Sequence, residues 1–256
     1  MPYAIAHPAA IIPLHRWLGR YSVPSALVIG SVIPDAWYFV PLLGRPDTHT
    51  VHGALLFCVP LTLLAYAAYH LLAKQPLLAL FPRRLAAKLR TWTPSGLPAA
   101  PWAAVALSAL AGALTHVVWD SFTHEGLLSA SYPLLEAKLF ALGSYEMRPL
   151  QLLQHASTLG GVAFLAGWVH LKLKHAAEGP EREKERPPAA VAAALLAVPV
   201  LVFVESLRPL SRGMELEALR AAVRGAGISA VSALLLAFMA YCLLWRWRGL
   251  LVRMVR

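Results

Sequence analysis

Charged side chains are scarce in this sequence, and their scarcity excludes an ordinary soluble protein. Only 14% of the 256 residues are Asp, Glu, Lys or Arg, whereas a soluble domain carries about 25%. Acidic residues are fewer than basic ones, 13 against 23, which gives a formal net charge of +10. The basic residues gather between apolar segments, as they do in the cytoplasmic loops of membrane proteins. We therefore attribute the positive charge to membrane topology and expect no nucleic-acid partner.

Cysteine is almost absent. Cys58 and Cys242 lie inside two separate apolar segments. Two such residues exclude a disulfide-stapled scaffold and a zinc finger built from thiolates. We expect both to be small core residues.

Long apolar runs take the place of the missing charges. Hydrophobic residues make up 58% of the chain, and the mean hydropathy is +0.58. A helix crosses a bilayer with about 17–25 apolar residues, and the first apolar run is short for this, so it would be re-entrant or strongly tilted. The pattern predicts an all-α polytopic membrane bundle of about six to seven spans. The apolar segments cover roughly residues 3–15, 24–42, 52–73, 102–123, 150–171, 188–207 and 225–245.

The distribution of Lys and Arg predicts the orientation in the membrane. With residue 1 outside, most basic residues fall on the inner side, so we expect an integral protein of the bacterial cytoplasmic (inner) membrane with its N-terminus outside and its C-terminus inside. The arginines between residues 208 and 224 are the exception. The stretch "FPRRLAAKLRTW" (81–92) is either a basic amphipathic helix on an anionic leaflet or a solvated loop.

Polar residues interrupt the apolar segments at one inferred depth. In "ALTHVVWDSFTH", His116, Asp120 and His124 stand on successive helical turns near the outer end of the fourth segment. A carboxylate in the hydrocarbon region costs several kcal/mol unless it is paired or bound. The same predicted topology brings further His and Asp residues to this depth from other segments, namely His7, Asp35, His49, His52 and His155.

This set predicts an intramembrane metal site near the outer face. His116 and Asp120, at i and i+4, share one helix face, and Ser108 and Gly112 continue that face with small residues that let a neighbouring helix approach. Imidazole with carboxylate is typical of zinc, with manganese or iron as alternatives. Because one catalytic zinc needs only three protein ligands, two or more ions are an open alternative to one. The predicted ligands are His7, Asp35, His52, His116, Asp120 and His155, with His49 and His124 as secondary candidates.

The same residues allow other interpretations. His116 with Asp120 is also the pattern of a buried pair that ties two helices together. If these residues bind an ion only transiently, the protein would be a metal-ion or small-solute transporter, although transporter sites tend to lie near the bilayer midplane. A fully coordinated ion would suit a non-catalytic protein with a structural metal.

Five motifs, in order, resemble a known bacterial membrane family. They are "AHPAAIIPLHR", "SALVIGSVIPDAWYF", "HTVHGALLFCVPL", "ALTHVVWDSFTHEG" and "LLQHASTLGG", spread over residues 1–170. The sequence is identified as a member of the family labelled domain of unknown function four-one-eight-four. That family is similar to the YdjM-like inner-membrane metal-dependent hydrolases and, more distantly, to zinc-dependent phospholipase C. The resemblance implies metal ligands at His7, Asp35, His116 and Asp120, with His52 and His155 as further ligands.

The resulting functional hypothesis is a membrane-embedded metal-dependent hydrolase. Its substrate would be a lipid phosphoester or another amphiphile, attacked by a metal-activated water, with Asp120 or Asp35 as general base. Besides the lipid bilayer and that lipid substrate, the sequence predicts no partner. Along the chain it predicts a metal-site membrane core at 1–175, a charged linker at 176–187, and a C-terminal two-helix membrane segment at 188–256.

Overall fold

The computed structural model describes residues 4–40, 46–92, 96–125, 131–142, 145–177, 187, 189–208 and 216–254. This part of the chain is mostly helical, as the apolar pattern predicts. It divides into two compact units, each assembled from three stretches of chain. Unit 1 comprises Met1–Tyr66, Ala100–Val169 and Ser211–Ala221, and unit 2 comprises Ala67–Ala99, His170–Leu210 and Ala222–Arg256.

The described elements follow one another along the chain with short connections. Single 3₁₀ turns stand at Ala4–Ala6, Gly19–Tyr21 and Ile33–Tyr38. The long helix α3 contains two π-helical turns, Ala54–Cys58 and Tyr69–Ala73. The helices and strands are α1 Pro8–Leu18, α2 Pro24–Val32, α3 Val51–Leu80, α4 Arg83–Trp92, α5 Trp102–Thr123, α6 Pro133–Glu136, β1 Phe140–Leu142, β2 Tyr145–Met147, α7 Pro149–His175, α8 Ala189–Leu207 and α9 Leu216–Met254. The strands form an antiparallel pair.

Four of the described helices are long and apolar enough to cross a membrane: α3, α5, α8 and α9. They coincide with four of the seven predicted segments, which agrees with a membrane location. Of the other three, α1 has 11 residues and is too short. α7 has 27 residues, but it mixes polar and basic side chains with its apolar ones and is not one of the four. The six to seven spans therefore stay a prediction.

The remaining segment, 24–42, is not one helix. Pro34 is expected to disturb it, because proline has no N–H and clashes with the preceding turn. The structure agrees: α2 ends at Val32, and a 3₁₀ turn, Ile33–Tyr38, continues the chain. Residues 41–45 lie outside the described residues.

Close packing of α2 against α5 forms the centre of unit 1. A Cβ on Gly112 would lie 2.4 Å from the carbonyl oxygen of Leu27, and a Cβ on Gly30 would lie 2.5 Å from the carbonyl oxygen of Ala109. The Ser108 hydroxyl accepts a hydrogen bond from the backbone N–H of Val23, at 2.9 Å. The prediction that Ser108 and Gly112 admit a close neighbour is confirmed. Two apolar clusters fill the space along this contact: Val23, Ala26, Tyr66 and Val105, and Ile33, Ala54, Cys58 and Ala113.

Unit 2 is built around α8 and α9. Leu195 of α8 and Tyr241 and Cys242 of α9 form its buried cluster, and Tyr241 donates a hydrogen bond to the carbonyl of Pro76 at 3.1 Å. Cys58 and Cys242 are both buried and unbonded to each other, as expected for core residues.

The sequence predicts three consecutive regions: a membrane core at 1–175, a linker at 176–187 and a C-terminal segment at 188–256. Residues 178–186 of the predicted linker lie outside the described residues. The range 188–256 holds α8 and α9, which are both candidate spans. The two compact units interleave along the sequence, so the predicted domain boundaries remain a prediction.

Candidate metal centre

Two carboxylates and two imidazoles converge at the end of α5. Each of Asp35, His49, His116 and Asp120 offers one ligand atom, and these four atoms all lie within 4.8 Å of one another. Asp35, His116 and Asp120 are buried, and His49 is half-buried. An imidazole and carboxylate set at this spacing could hold a metal ion.

A contact with the backbone fixes the orientation of the His116 ring. Its Nδ1 lies 2.7 Å from the carbonyl oxygen of Ser31, and because a carbonyl only accepts, Nδ1 must carry the proton. In a 3₁₀ turn that carbonyl would bond to the N–H of residue 34, but residue 34 is a proline and has none. The proline that ends α2 therefore leaves a free acceptor that holds the ring.

The other nitrogen of the same ring faces negative charge. Nε2 of His116 lies 3.3 Å from Oδ2 of Asp120 and 3.8 Å from Oδ1 of Asp35. It is fully buried and makes no hydrogen bond within the described residues. With Nδ1 protonated, neutral His116 points a lone pair at two carboxylates, an arrangement that a cation between them stabilises. A backbone-bound imidazole is also the usual form of a metal-ligating histidine.

A short loop before α3 brings in His49. Thr48 is buried and donates a hydrogen bond to the carbonyl of Pro34 at 2.8 Å, while Thr50 caps α3 by accepting from the N–H of Gly53. A Cβ on Gly53 would overlap the carbonyl oxygen of Asp47, so only glycine fits there. These contacts hold Nε2 of His49 at 3.3 Å from Asp120 Oδ2 and 3.5 Å from Asp35 Oδ1.

Asp120 faces two pairs of histidines with its two oxygens. Oδ2 lies 3.3 Å from Nε2 of both His49 and His116. Oδ1 lies 3.4 Å from Nε2 of His7 and 3.4 Å from Nδ1 of His124. The His7 ring stacks on the ring of His116, with centroids 3.8 Å apart. Asp120 thus joins the four-residue group to a second pair of imidazoles.

His7 and His49 lie outside the candidate spans, and their pKa values are shifted in opposite directions. Hydrogen bonds to Asp120 and Asp35 raise the pKa of His49 to about 9. Burial lowers the pKa of His7 to about 4. Around neutral pH His7 is therefore neutral, whereas His49 would have to lose a proton in order to bind a metal.

A small, half-open pocket adjoins the second side of Asp120. Trp119 and Ala6 contribute apolar surface, and His124 and Gln154 contribute polar groups in mutual contact at 2.8 Å. The complete lining is Ala6, His7, Trp119, Asp120, Thr123, His124, Gln154 and Thr158. The pocket has room for about one water molecule beside Asp120.

The predicted ligands separate into two sets. His7, Asp35, His116 and Asp120 come together, joined by the secondary candidates His49 and His124. His52 lies exposed on the first turn of α3, and His155 is half-buried on α7. Neither belongs to the four-residue group found among the described residues, and their roles as ligands stay predictions.

Gln154 is a functional candidate that the sequence alone does not indicate. The helix pattern of α7 predicts Gln151, His155 and Thr158 on one face, whereas the structure turns Gln154 to His124. Gln151 instead accepts a hydrogen bond from the backbone N–H of Arg148, at the start of the helix. Helical spacing gives the relative direction of side chains, but not which face meets the neighbouring element.

Comparison with known proteins gives a family and no described activity. No curated protein and no solved structure matches the chain. The match to a family model extends past the motif-bearing residues 1–170 and covers residues 1–243, so it includes α8 and most of α9. The chain belongs to the family described as domain of unknown function (DUF4184).

Proposed function

We propose that this protein is a membrane-embedded, metal-dependent hydrolase that acts on a lipid phosphoester or another amphiphile. The observation that carries the proposal is the buried Nε2 of His116, held in place through Ser31 and directed at Asp35 and Asp120. Such an arrangement is built to receive a cation. Zinc fits the donor set best, with manganese or iron as alternatives.

The ligands divide naturally around Asp120. Asp35, His49, His116 and Oδ2 of Asp120 would hold one ion. On the pocket side, His7 and His124 flank Oδ1 of Asp120, outside the four-residue group, and they are the residues that would hold a second ion.

Asp35 is the better general base of the two carboxylates. Both oxygens of Asp120 are engaged by histidines, whereas Oδ2 of Asp35 has no hydrogen-bond partner among the described residues. A metal ion bound here would lower the pKa of a water molecule and polarise a phosphoryl or carbonyl oxygen. Oδ2 of Asp35 would accept the proton that this water loses, and Asp120 would keep the surrounding imidazoles in place.

The position of the cluster suits an amphiphilic substrate. His116 is seven residues before the end of α5, or about 10 Å along the helix axis, so the cluster lies near one end of a candidate span. The pocket beside it combines Trp119 and Ala6 with polar Gln154 and Thr158. A lipid head group could meet the polar side while its apolar part stays in the bilayer.

A turnover assay tests this proposal. Protein loaded with Zn²⁺ in detergent–lipid micelles should hydrolyse at least one member of a panel of phospholipids and soluble phosphoesters. At saturating Zn²⁺, Asp35→Asn should lower kcat by about 100-fold or more, within the range for loss of a general base, because the amide keeps an oxygen for the metal but cannot accept the proton. The matched control is Asp47→Asn, an exposed carboxyl group outside the cluster.

Other outcomes would identify other functions. Bound metal without turnover of any substrate, together with metal uptake into proteoliposomes, would indicate a transporter. Bound metal with neither turnover nor uptake would indicate a structural ion. Absence of metal would leave the cluster as a set of buried ion pairs between helices, and the hydrolase proposal would be wrong.

A further inference from the structure

Basic side chains gather around α4 in unit 2. Arg83 and Arg84, at the start of the helix, are exposed, whereas Ala86 and Ala87, further along it, are buried. α4 therefore packs its alanine face onto the protein and leaves its first two arginines outside. The amphipathic pattern of residues 81–92 thus serves packing within unit 2 as well as surface charge.

Helix α7 brings two further basic residues next to α4. Lys88 of α4 donates a hydrogen bond to the carbonyl of Leu173, at 3.1 Å, near the end of α7. Leu173 is flanked by Lys172 and Lys174, which are both exposed. The free carbonyls at the end of a helix favour a cation, so this contact also fastens α4 to α7.

The end of α9 completes the surface. Trp245 packs against the same apolar cluster as Leu80, which is three residues before Arg83. Arg246 and Arg248 follow Trp245 directly and are exposed. We name the whole set the basic rim: Arg83, Arg84, Lys88, Lys172, Lys174, Arg246 and Arg248.

No acidic residue offsets this charge within the stretches that form the rim. The sequence holds no Asp or Glu in 67–92, 170–177 or 222–248, and the glutamates that follow at 178, 181, 183 and 185 lie outside the described residues. The rim also lies at the ends of two candidate spans, α3 and α9, next to the exposed aromatic ring of Trp247. Tryptophan at the end of a span is typical of the head-group level.

We propose that the basic rim binds anionic phospholipid head groups. Charge complementarity supports this partner, because six of the seven rim cations are exposed and these stretches hold no fixed anion. The position at the ends of apolar helices favours lipid over nucleic acid, which would have to reach the rim at the bilayer surface. The rim shares no residue with the histidine–aspartate cluster, so the inference stands independently of the hydrolase proposal.

Lipid binding to the full chain tests the inference. The protein is purified in a mild non-ionic detergent and titrated with phosphatidylglycerol or phosphatidylcholine of equal acyl chains, and the apparent Kd is measured. We expect tighter binding of phosphatidylglycerol at low salt, and loss of that preference in 1 M salt. Arg83→Gln with Arg84→Gln should raise the Kd for phosphatidylglycerol about five-fold for each charge removed and leave phosphatidylcholine unchanged.

A second pair of substitutions distinguishes the loss of charge from misfolding of the first variant. Arg246→Gln with Arg248→Gln removes the same charge from a different helix and should have the same effect. The matched control, Arg208→Gln with Arg224→Gln, removes two exposed charges of unit 2. Arg224 is 22 residues before Arg246 on α9, or about 33 Å along the helix axis, and this control should keep the preference.

Three results would overturn the inference. Equal affinity of the wild-type protein for the two lipids would show that it has no preference for anionic head groups. An unchanged preference in both rim variants, or an equal loss in the control, would show that the rim is not the site. Tighter binding of a short DNA duplex than of phosphatidylglycerol, at the same salt, would make nucleic acid the partner instead.

Discussion

His49 and His116 reach the same two carboxylates from different kinds of structure. His116 stands on α5, one helical turn before Asp120, and its direction follows from the helix and from the carbonyl of Ser31. His49 stands in the loop before α3, and its direction follows from the contacts of Thr48 and Thr50. His49 and His52, which are close in sequence, should therefore differ in their effect on metal binding.

His49→Ala and His52→Ala form the most informative pair of single substitutions. His49→Ala should lower the affinity for Zn²⁺ at least ten-fold, because it removes one of four converging ligands. His52→Ala should leave the affinity unchanged, because the structure places that side chain in an exposed position. Competition against a chromogenic chelator measures both. Loss of affinity in His52→Ala with retention in His49→Ala would contradict the placement of the loop.

Metal binding should release a proton from His49. Without metal the pKa of His49 is raised to about 9 by Asp120 and Asp35, so the ring is protonated at pH 7, and only its neutral form binds a metal. The apparent affinity should rise about ten-fold for each pH unit between pH 7 and 9 and level off above. Calorimetry in buffers of different ionisation enthalpy should find about one proton fewer released in His49→Gln. Equal proton release in wild type and variant would refute the assignment.

Sequence spacing indicates some of these residues and misses others. His116 and Asp120 could be paired from the sequence because i and i+4 share a face in any helix. The choice between His49 and His52 could not, because it depends on where α3 begins and how the preceding loop folds back on Pro34. Gln154 was missed for a related reason, since the rotation of α7 about its axis is set by tertiary contacts.

The contact between α2 and α5 determines the distance between Asp35 and His116. It is a backbone contact at Gly30 and Gly112, where side chains would separate the helices. Small residues on the predicted face of α5, and a proline after α2, were enough to predict the close approach and the break at Pro34. The sequence could not show that the break supplies the acceptor for His116, because that depends on the exact register of the two helices.

Gly112→Ala should lower both stability and metal affinity. The new methyl group would lie 2.4 Å from the carbonyl oxygen of Leu27, and overpacking of this kind costs about 1–3 kcal/mol. The melting temperature in detergent should fall by several degrees, and Zn²⁺ affinity should fall with it. Gly167→Ala is the control, since a Cβ there meets nothing within 4 Å. Equal melting temperatures in the two variants would show that the helices are not in close contact.

Four candidate spans and seven predicted segments imply different arrangements of the whole chain. The four helices α3, α5, α8 and α9 are continuous apolar runs, which hydropathy detects directly. The segments at 3–15, 24–42 and 150–171 are short, broken or interspersed with polar side chains, and these are the segments that supply His7, Asp35 and the pocket. Hydropathy is least decisive there because the functional residues themselves interrupt the apolar pattern.

The positions of the two termini distinguish these arrangements. An odd number of spans places the termini on opposite sides of the membrane, and an even number places them on the same side. The distribution of Lys and Arg predicts the N-terminus outside and the C-terminus inside. A fluorescent protein fused to the C-terminus should therefore be fluorescent in cells. The same protein fused to the N-terminus would be exported and should not be fluorescent. Fluorescence of both fusions would contradict the predicted orientation.

The central claim is that Asp35, His49, His116 and Asp120 form a metal centre, and elemental analysis tests it most directly. Wild-type protein, purified without chelators and dialysed against metal-free buffer, should retain about one or more transition-metal ions per chain. His116→Ala should retain less than a tenth of that amount, and His175→Ala, which alters an exposed histidine at the end of α7, should retain it all. A wild-type metal content no higher than that of His116→Ala would contradict the claim.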